Sequence, residues 1–184
     1  MTSAPRIPYP DDAPPEGAAL NIVRMMGHMP PDIGAGFEAI ARAVMTSPSL
    51  DAVLRELVIL RVGHLCGSAY EIHQHNAFAR HLGVGEDIIA ALAEGSASPA
   101  FNAKEKALLV FVEELVRNVR PSDGALEALR RHFDLPALFA IIVTAGQYSM
   151  VCRLLETTGI PIESDPDLAV RSISQSGKVG VRRE

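Results

Sequence analysis

Between residues 20 and 156 the apolar positions recur with the three-to-four-residue period of an α-helix, not with the alternation of a strand. Leu20, Val23 and Met26 predict a short helix between Glu16 and His28, stopped by Pro30 and Pro31. Asp32 opens a second, with Ile33, Phe37, Ile40, Ala41 and Val44 on one face, broken at Pro48. Ser49 is then placed to cap a helix over 50–65 that carries Val53, Leu54, Leu57, Val58 and Leu60, and Gly67 supplies a left-handed stop. Ser68 and Glu71 have the spacing of a capping box, so a new helix is expected from Ala69 to about Leu82. A short helix follows over 86–94. Asn102 caps 103–119, with Ala107, Leu108, Phe111, Val112, Leu115 and Val119 as its stripe, and Ser122 caps 123–133 after Pro121. The stretch 135–156 is apolar nearly all round, which predicts burial in a bundle or a subunit interface. With no hairpin or strand pattern competing, the expectation is one all-α domain of seven to eight helices over 16–162. It is preceded by an arm over 1–15 and followed by a tail over 163–184.

The arm holds five prolines, at 5, 8, 10, 14 and 15, so it is expected to be extended, either as a disordered leader or wrapped on a neighbouring subunit. Composition adds little to the fold but narrows the function. A 48% apolar and 21% charged chain is ordinary for a globular domain. A net charge of −5, with Lys178 to Arg183 as its single basic cluster, argues against nucleic acid. No run of about eighteen apolar residues is seen that would predict a membrane span. The first residues lack the basic and apolar regions of a signal peptide, and Cys66 and Cys152 form no Cys-x-x-Cys. Both are therefore expected as reduced thiols of a cytoplasmic protein.

Proton-transfer chemistry is concentrated between Glu56 and His75. Glu71 and His75 are four residues apart and share a helix face, with Tyr70 and His73 on its flanks. Glu56 on the preceding helix approaches them if the two helices pack antiparallel across Gly67. A carboxylate beside an imidazole suits general acid–base work, because the unperturbed imidazole pKa of about 6.5 lies near working pH. The competing reading is structural: Glu71 completes a capping box, His75 packs, and His64, His73 and His81 are surface or helix-end residues. A metal held by Glu56, Glu71, His73 and His75 ranks second, because the helical pair supplies only two ligands.

The segments Glu56 to Arg61, Ser68 to His75 and Ala79 to Leu92 resemble the carboxymuconolactone decarboxylase family, which shares the fold of the alkylhydroperoxidase AhpD. Leu138 to Leu155 resembles that family's last core helix, and Asn21 to Pro31 the N-terminal helix of its longer members. In the peroxidase branch the motif is Glu, then Cys-x-x-Cys, then His. Here the matching positions are Glu56, Ser68, Glu71 and His75, so the dithiol of peroxide reduction is missing. What the resemblance implies is a lyase without metal or organic cofactor, acting by decarboxylation, other C–C cleavage or isomerisation on a small anionic or aromatic, lactone-type compound. It gives His75 the role of general acid or base, with Glu56 orienting it and Glu71 as second acid–base group. Tyr70 is the donor to a developing enolate, and Arg61, Tyr148 and Arg153 are substrate-binding candidates. It also implies a homo-oligomer, a trimer or hexamer. A metal-assisted enzyme on the same scaffold and a non-catalytic oligomeric binding protein stand as alternatives.

Overall fold

In the computed structural model, which describes residues 4–165 together with Leu168 and Arg171, the described residues form eight α-helices. They are α1 (Asn21–Met25), α2 (Pro31–Thr46), α3 (Ala52–Cys66), α4 (Ala69–His81), α5 (Glu86–Ala91), α6 (Ala103–Asn118), α7 (Asp123–Arg130) and α8 (Leu135–Thr158). Short 3-10 turns follow α1 at Met26–His28 and precede α6 at Gly95–Ala97. The all-α expectation is met. The basic cluster from Lys178 to Arg183 and most of the expected tail lie outside the described residues.

Helix α3 is the axis. Every residue from Leu54 to Gly63 is buried, because α8, α4 and α6 pack around it on different sides. Leu57, Val58, Ile59, Leu60 and Val62 have no exposure at all. The polar side chains of this helix are therefore buried as well, and each needs a partner. Gly63 lets α4 come close: a Cβ there would stand 3.2 Å from Ile72 and 3.6 Å from Cγ of Glu71.

Several local expectations are corrected. Asp51, not Ser49, caps α3, its carboxylate accepting from the Val53 and Leu54 amides. Gly67 does take the left-handed conformation, with φ of 67°. The predicted Ser68/Glu71 capping box does not form: Ser68 occupies the cap position without a side-chain cap bond, and its amide donates to the Gly63 carbonyl. The box forms instead at Asn102 and Glu105. The first helix is only Asn21–Met25, since Pro15 and Gly17 turn the chain before it. The fifth helix stops at Ala91, where the backbone tightens into i→i+3 turns through Glu94, and Arg61 then takes the carbonyls of Leu92 and Ala93.

The proline-rich arm folds back on its own chain. The Arg6 amide donates to the Thr158 carbonyl, Arg24 donates to the Pro14 carbonyl, and the Arg24 guanidinium covers the Tyr9 ring at 4.0 Å. Helix α8 divides into two faces. Ile141, Ala145, Cys152 and Leu155 are in the core, whereas Leu135, Phe139, Val143 and Met150 are exposed. By length and apolar composition α8 is sufficient to cross a membrane, a correction to the sequence reading. Half of its most apolar stretch is nevertheless buried within the domain, as in a core helix.

Candidate active site

Glu56, Glu71 and His75 meet between α3 and α4. The His75 Nδ1 donates to Oε2 of Glu56 at 2.6 Å, and its Nε2 stands 3.1 Å from Oε1 of Glu71. A carboxylate only accepts, so both ring nitrogens face acceptors and the arrangement suits an imidazolium. Glu56 has no solvent exposure and the other two are buried. Burial disfavours a charged ring, but the fields of Glu56 and Glu71 and the hydrogen bonds to both outweigh it. They push the His75 pKa up to about 10. The ring is fixed in place by Phe78, stacked at 5.0 Å, and by Tyr148, edge-on at 5.0 Å. Arg55, also buried, lies 3.5 Å from the second Glu56 oxygen.

His75 and Glu71 open onto a cavity of about 180 Å³ between α1, α2, α4 and α8. Glu56 is not part of its wall and stands behind the imidazole. Ile22, Phe37, Met45 and Val151 make the apolar side, and Gln74, Gln147 and Tyr148 the polar remainder. The Tyr148 hydroxyl donates to the Met45 thioether at 3.2 Å, a weak acceptor that leaves the phenol open to a better one. Burial first, and then the charges of Glu71 and Glu56, hold that phenol well above its usual range, so it is a donor and not an anion.

Three predicted binding or catalytic residues take other roles. Arg61 is buried away from the cavity, paired to Glu113 at 2.9 Å and donating to the Leu92 and Ala93 carbonyls, so its guanidinium ties α3 to the turn before α6. Gly95 closes over that pair, where any side chain would collide with Arg61 and Glu113. Arg153 is exposed and donates to the Ser149 carbonyl on its own helix. Tyr70 borders the cavity, but its hydroxyl is engaged by the Glu163 carboxylate and by the Ile22 amide at 3.2 Å. Burial and that carboxylate push its pKa up. Tyr148, by contrast, lines the same cavity with a hydroxyl held only by the Met45 thioether.

Glu163 is a site residue that sequence reasoning misses. Its carboxylate accepts from the Asn21 amide at 2.7 Å, from Tyr70 and from the Gln74 amide, fastening the segment after α8 to α1 and α4. Nothing in the local sequence signals this, because the partners are some ninety or more residues away. Gln147 is missed as well, although a glutamine three residues after Thr144 in so apolar a helix is a visible signal.

Both cysteines are free, Cys66 half-buried and Cys152 buried on α8, and the Cys152 thiol feels both Cys66 and the Ser68 hydroxyl. Burial pushes the Cys152 thiol up, and Glu71 and Cys66 add to that. Among the described residues no set of three or more His, Cys, Asp or Glu side chains has a metal-holding arrangement. Both nitrogens of His75 are turned to carboxylates.

Comparison with known proteins adds context to this geometry. The profile of the carboxymuconolactone decarboxylase family matches residues 31–114, which include Glu56, Glu71 and His75. An uncharacterised protein, YdfG, of Bacillus subtilis (strain 168) is 31% identical over 108 residues, covering 58% of this chain and 74% of its own. A protein of unknown function from Agrobacterium tumefaciens, with a suggested role as the antioxidant-defence protein AhpD, is 25% identical. It superposes with a TM-score of 0.69 over 74% of this chain and 94% of its own. The AhpD core of a peroxidase-related protein from Ralstonia eutropha JMP134 superposes with a TM-score of 0.78 over 91% of this chain and 97% of its own, at 19% identity.

Proposed function

Since the chain belongs to the carboxymuconolactone decarboxylase family, we propose that it is a cofactor-independent lyase or isomerase whose proton transfers run through Glu71 and His75. The observation that carries this reading is the imidazole held between two buried carboxylates, one of which borders a cavity. In an isomerisation, Glu71 takes a proton from the carbon beside a carbonyl, and the C–H electron pair moves into the carbonyl as an enolate. Tyr148 donates to the enolate oxygen. His75 then delivers its Nε2 proton to a second carbon, and the proton on Glu71 returns to Nε2 across their 3.1 Å contact, which restores the starting state. Glu56 holds the ring and balances its charge from behind. In C–C cleavage of a β-hydroxy carbonyl compound, Glu71 takes the hydroxyl proton, the C–C bond breaks to release an aldehyde or ketone and leave the same enolate, and His75 protonates the enolate carbon before regaining its proton from Glu71.

Ser68 and Glu71 stand where the peroxidase branch carries its cysteines, which disfavours AhpD-type peroxide reduction. One observation supports a second, thiol-based reading: the Cys152 thiol feels Cys66. Two thiols and a hydroperoxide give a disulfide, an alcohol and water, and the exposed edge of Cys66 is the point of attack. The experiment that separates the readings is a screen of small lactones and aromatic carbonyl compounds in deuterium oxide, read by mass spectrometry. Deuterium uptake or bond cleavage is expected in the wild type and in Cys66→Ser, and is expected to fall by about a hundredfold or more in Glu71→Gln. Consumption of tert-butyl hydroperoxide is followed in parallel: its loss in Cys66→Ser, with no deuterium uptake in any variant, rules for the thiols.

We further propose a homo-oligomer. Supporting it are the exposed Phe139 and Val143 on α8, which with Ile40 of α2 line an apolar groove on one side of the domain, and the exposed Leu135 at the start of the same helix.

A further inference from the structure

Two side-chain amides border the cavity with polar atoms that no described residue satisfies. Gln147 is 4% exposed and Gln74 5%. The Gln74 nitrogen donates to Glu163, and since a carboxylate only accepts, the oxygen of that amide is the end left over. It is buried without a partner, and so is Nε2 of Gln147. Buried amide atoms left in this way are costly, and both belong to residues that line the one cavity, from α4 and from α8, so a ligand seated between these helices would relieve both.

The charges around the cavity restrict what that is. Glu71 is in the wall, Glu56 stands behind His75, and Glu163 behind Tyr70 and Gln74. Against these three carboxylates are one imidazolium and the Arg55 guanidinium, which already lies beside Glu56. Arg61 and Arg153 point their charge elsewhere. An anion entering meets net negative charge at low dielectric, and among the described residues that line the cavity there is no unpaired cation. The volume of about 180 Å³ is small for a ligand pocket and fits a single ring with a short substituent, on the order of ten non-hydrogen atoms.

We propose that the cavity binds a compact, uncharged carbonyl compound, its oxygen accepting from Gln147 and a donor group on it meeting the free oxygen of Gln74. The proposal deepens the proton-transfer reading above and rests on it for the fate of the ligand, but not for its binding. It also moves the expected chemistry away from decarboxylation of a carboxylate and toward isomerisation or cleavage of a neutral molecule.

Benzamide and benzoate make the test, being nearly isosteric and differing in charge and in the second donor. Each is titrated into the full chain at neutral pH and followed by NMR line shifts and calorimetry. Saturable binding of benzamide is expected, at least tenfold tighter than benzoate, and Gln147→Met is expected to weaken benzamide by about tenfold. Circular dichroism checks the fold of the variant, and Gln74→Met repeats the measurement on the other amide. Benzoate binding as tightly as benzamide overturns the proposal. So does the absence of saturable benzamide binding, or a benzamide affinity unchanged in both variants. Because the readout is binding, loss of turnover in Glu71→Gln leaves this result untouched, and failure here leaves the proton-transfer reading standing.

Discussion

Removing the His75 imidazole leaves Glu56 and Glu71 buried and facing one another with their shared counter-charge gone. His75→Ala is expected to lose about 3–5 kcal/mol of stability, the usual cost of stranding buried charge, measurable as a lowered urea midpoint. The same group sets a pH dependence. Its folded pKa, about 10, lies above the unfolded value near 6.5, so the stabilisation is complete below the unfolded value and is lost as pH rises toward 10. Thermal unfolding is therefore expected at progressively lower temperature between pH 7 and pH 10, and His75→Ala is expected to flatten that slope. At this scale the sequence is informative where helical spacing rules. Glu71 and His75 have to share a face, and Glu56 has to approach if α3 and α4 pack antiparallel. Arg61 and Arg153 mislead because a positive charge in a sequence does not show whether a carboxylate elsewhere, Glu113 in one case, already holds it. Tyr70 misleads for the same reason, its partner being Glu163.

Among the elements, the junction of α3 and α4 decides the site. Gly67 takes a left-handed φ with nothing within 4 Å of the place a Cβ would occupy, so Gly67→Ala costs only conformational strain. A loss of about 1 kcal/mol is expected in chemical denaturation. Gly63 is the reverse case, with ordinary helical backbone and little room. Gly63→Ala is expected to keep the fold while pressing on Ile72 and so shifting α4, which carries Glu71, and to lower turnover more than stability. The missing capping box matters functionally: the Glu71 carboxylate faces His75 and is not spent on the helix end. The S-x-x-E spacing cannot reveal this, since the same two residues serve either purpose and the packing of α4 on α3 chooses. Helix type and order are readable from the 3.6-residue period, whereas the ends of α1 and α5 are set by turns, features outside the local pattern.

For the whole molecule, the arm over residues 4–15 and the segment carrying Glu163 close the domain over α1, α4 and the end of α8. The arm's return to its own chain is beyond composition, which says only that five prolines make it extended. Glu163→Gln keeps the shape but weakens three hydrogen bonds, and faster hydrogen exchange at Asn21 to Met25 is the expected result. The apolar groove between α2 and α8 is expected to seat a second copy. Phe139→Glu should then lower the mass found by light scattering without altering the helical spectrum, and an unchanged mass removes that interface.

The claim on which all of this depends is that His75 is a protonated ring held between Glu56 and Glu71. Nitrogen-15 NMR of the histidine side chains across pH 6 to 11 measures it without any substrate. Both His75 nitrogens are expected to remain protonated through pH 8 and to titrate near pH 10. A neutral ring with one protonated nitrogen at pH 8 contradicts it.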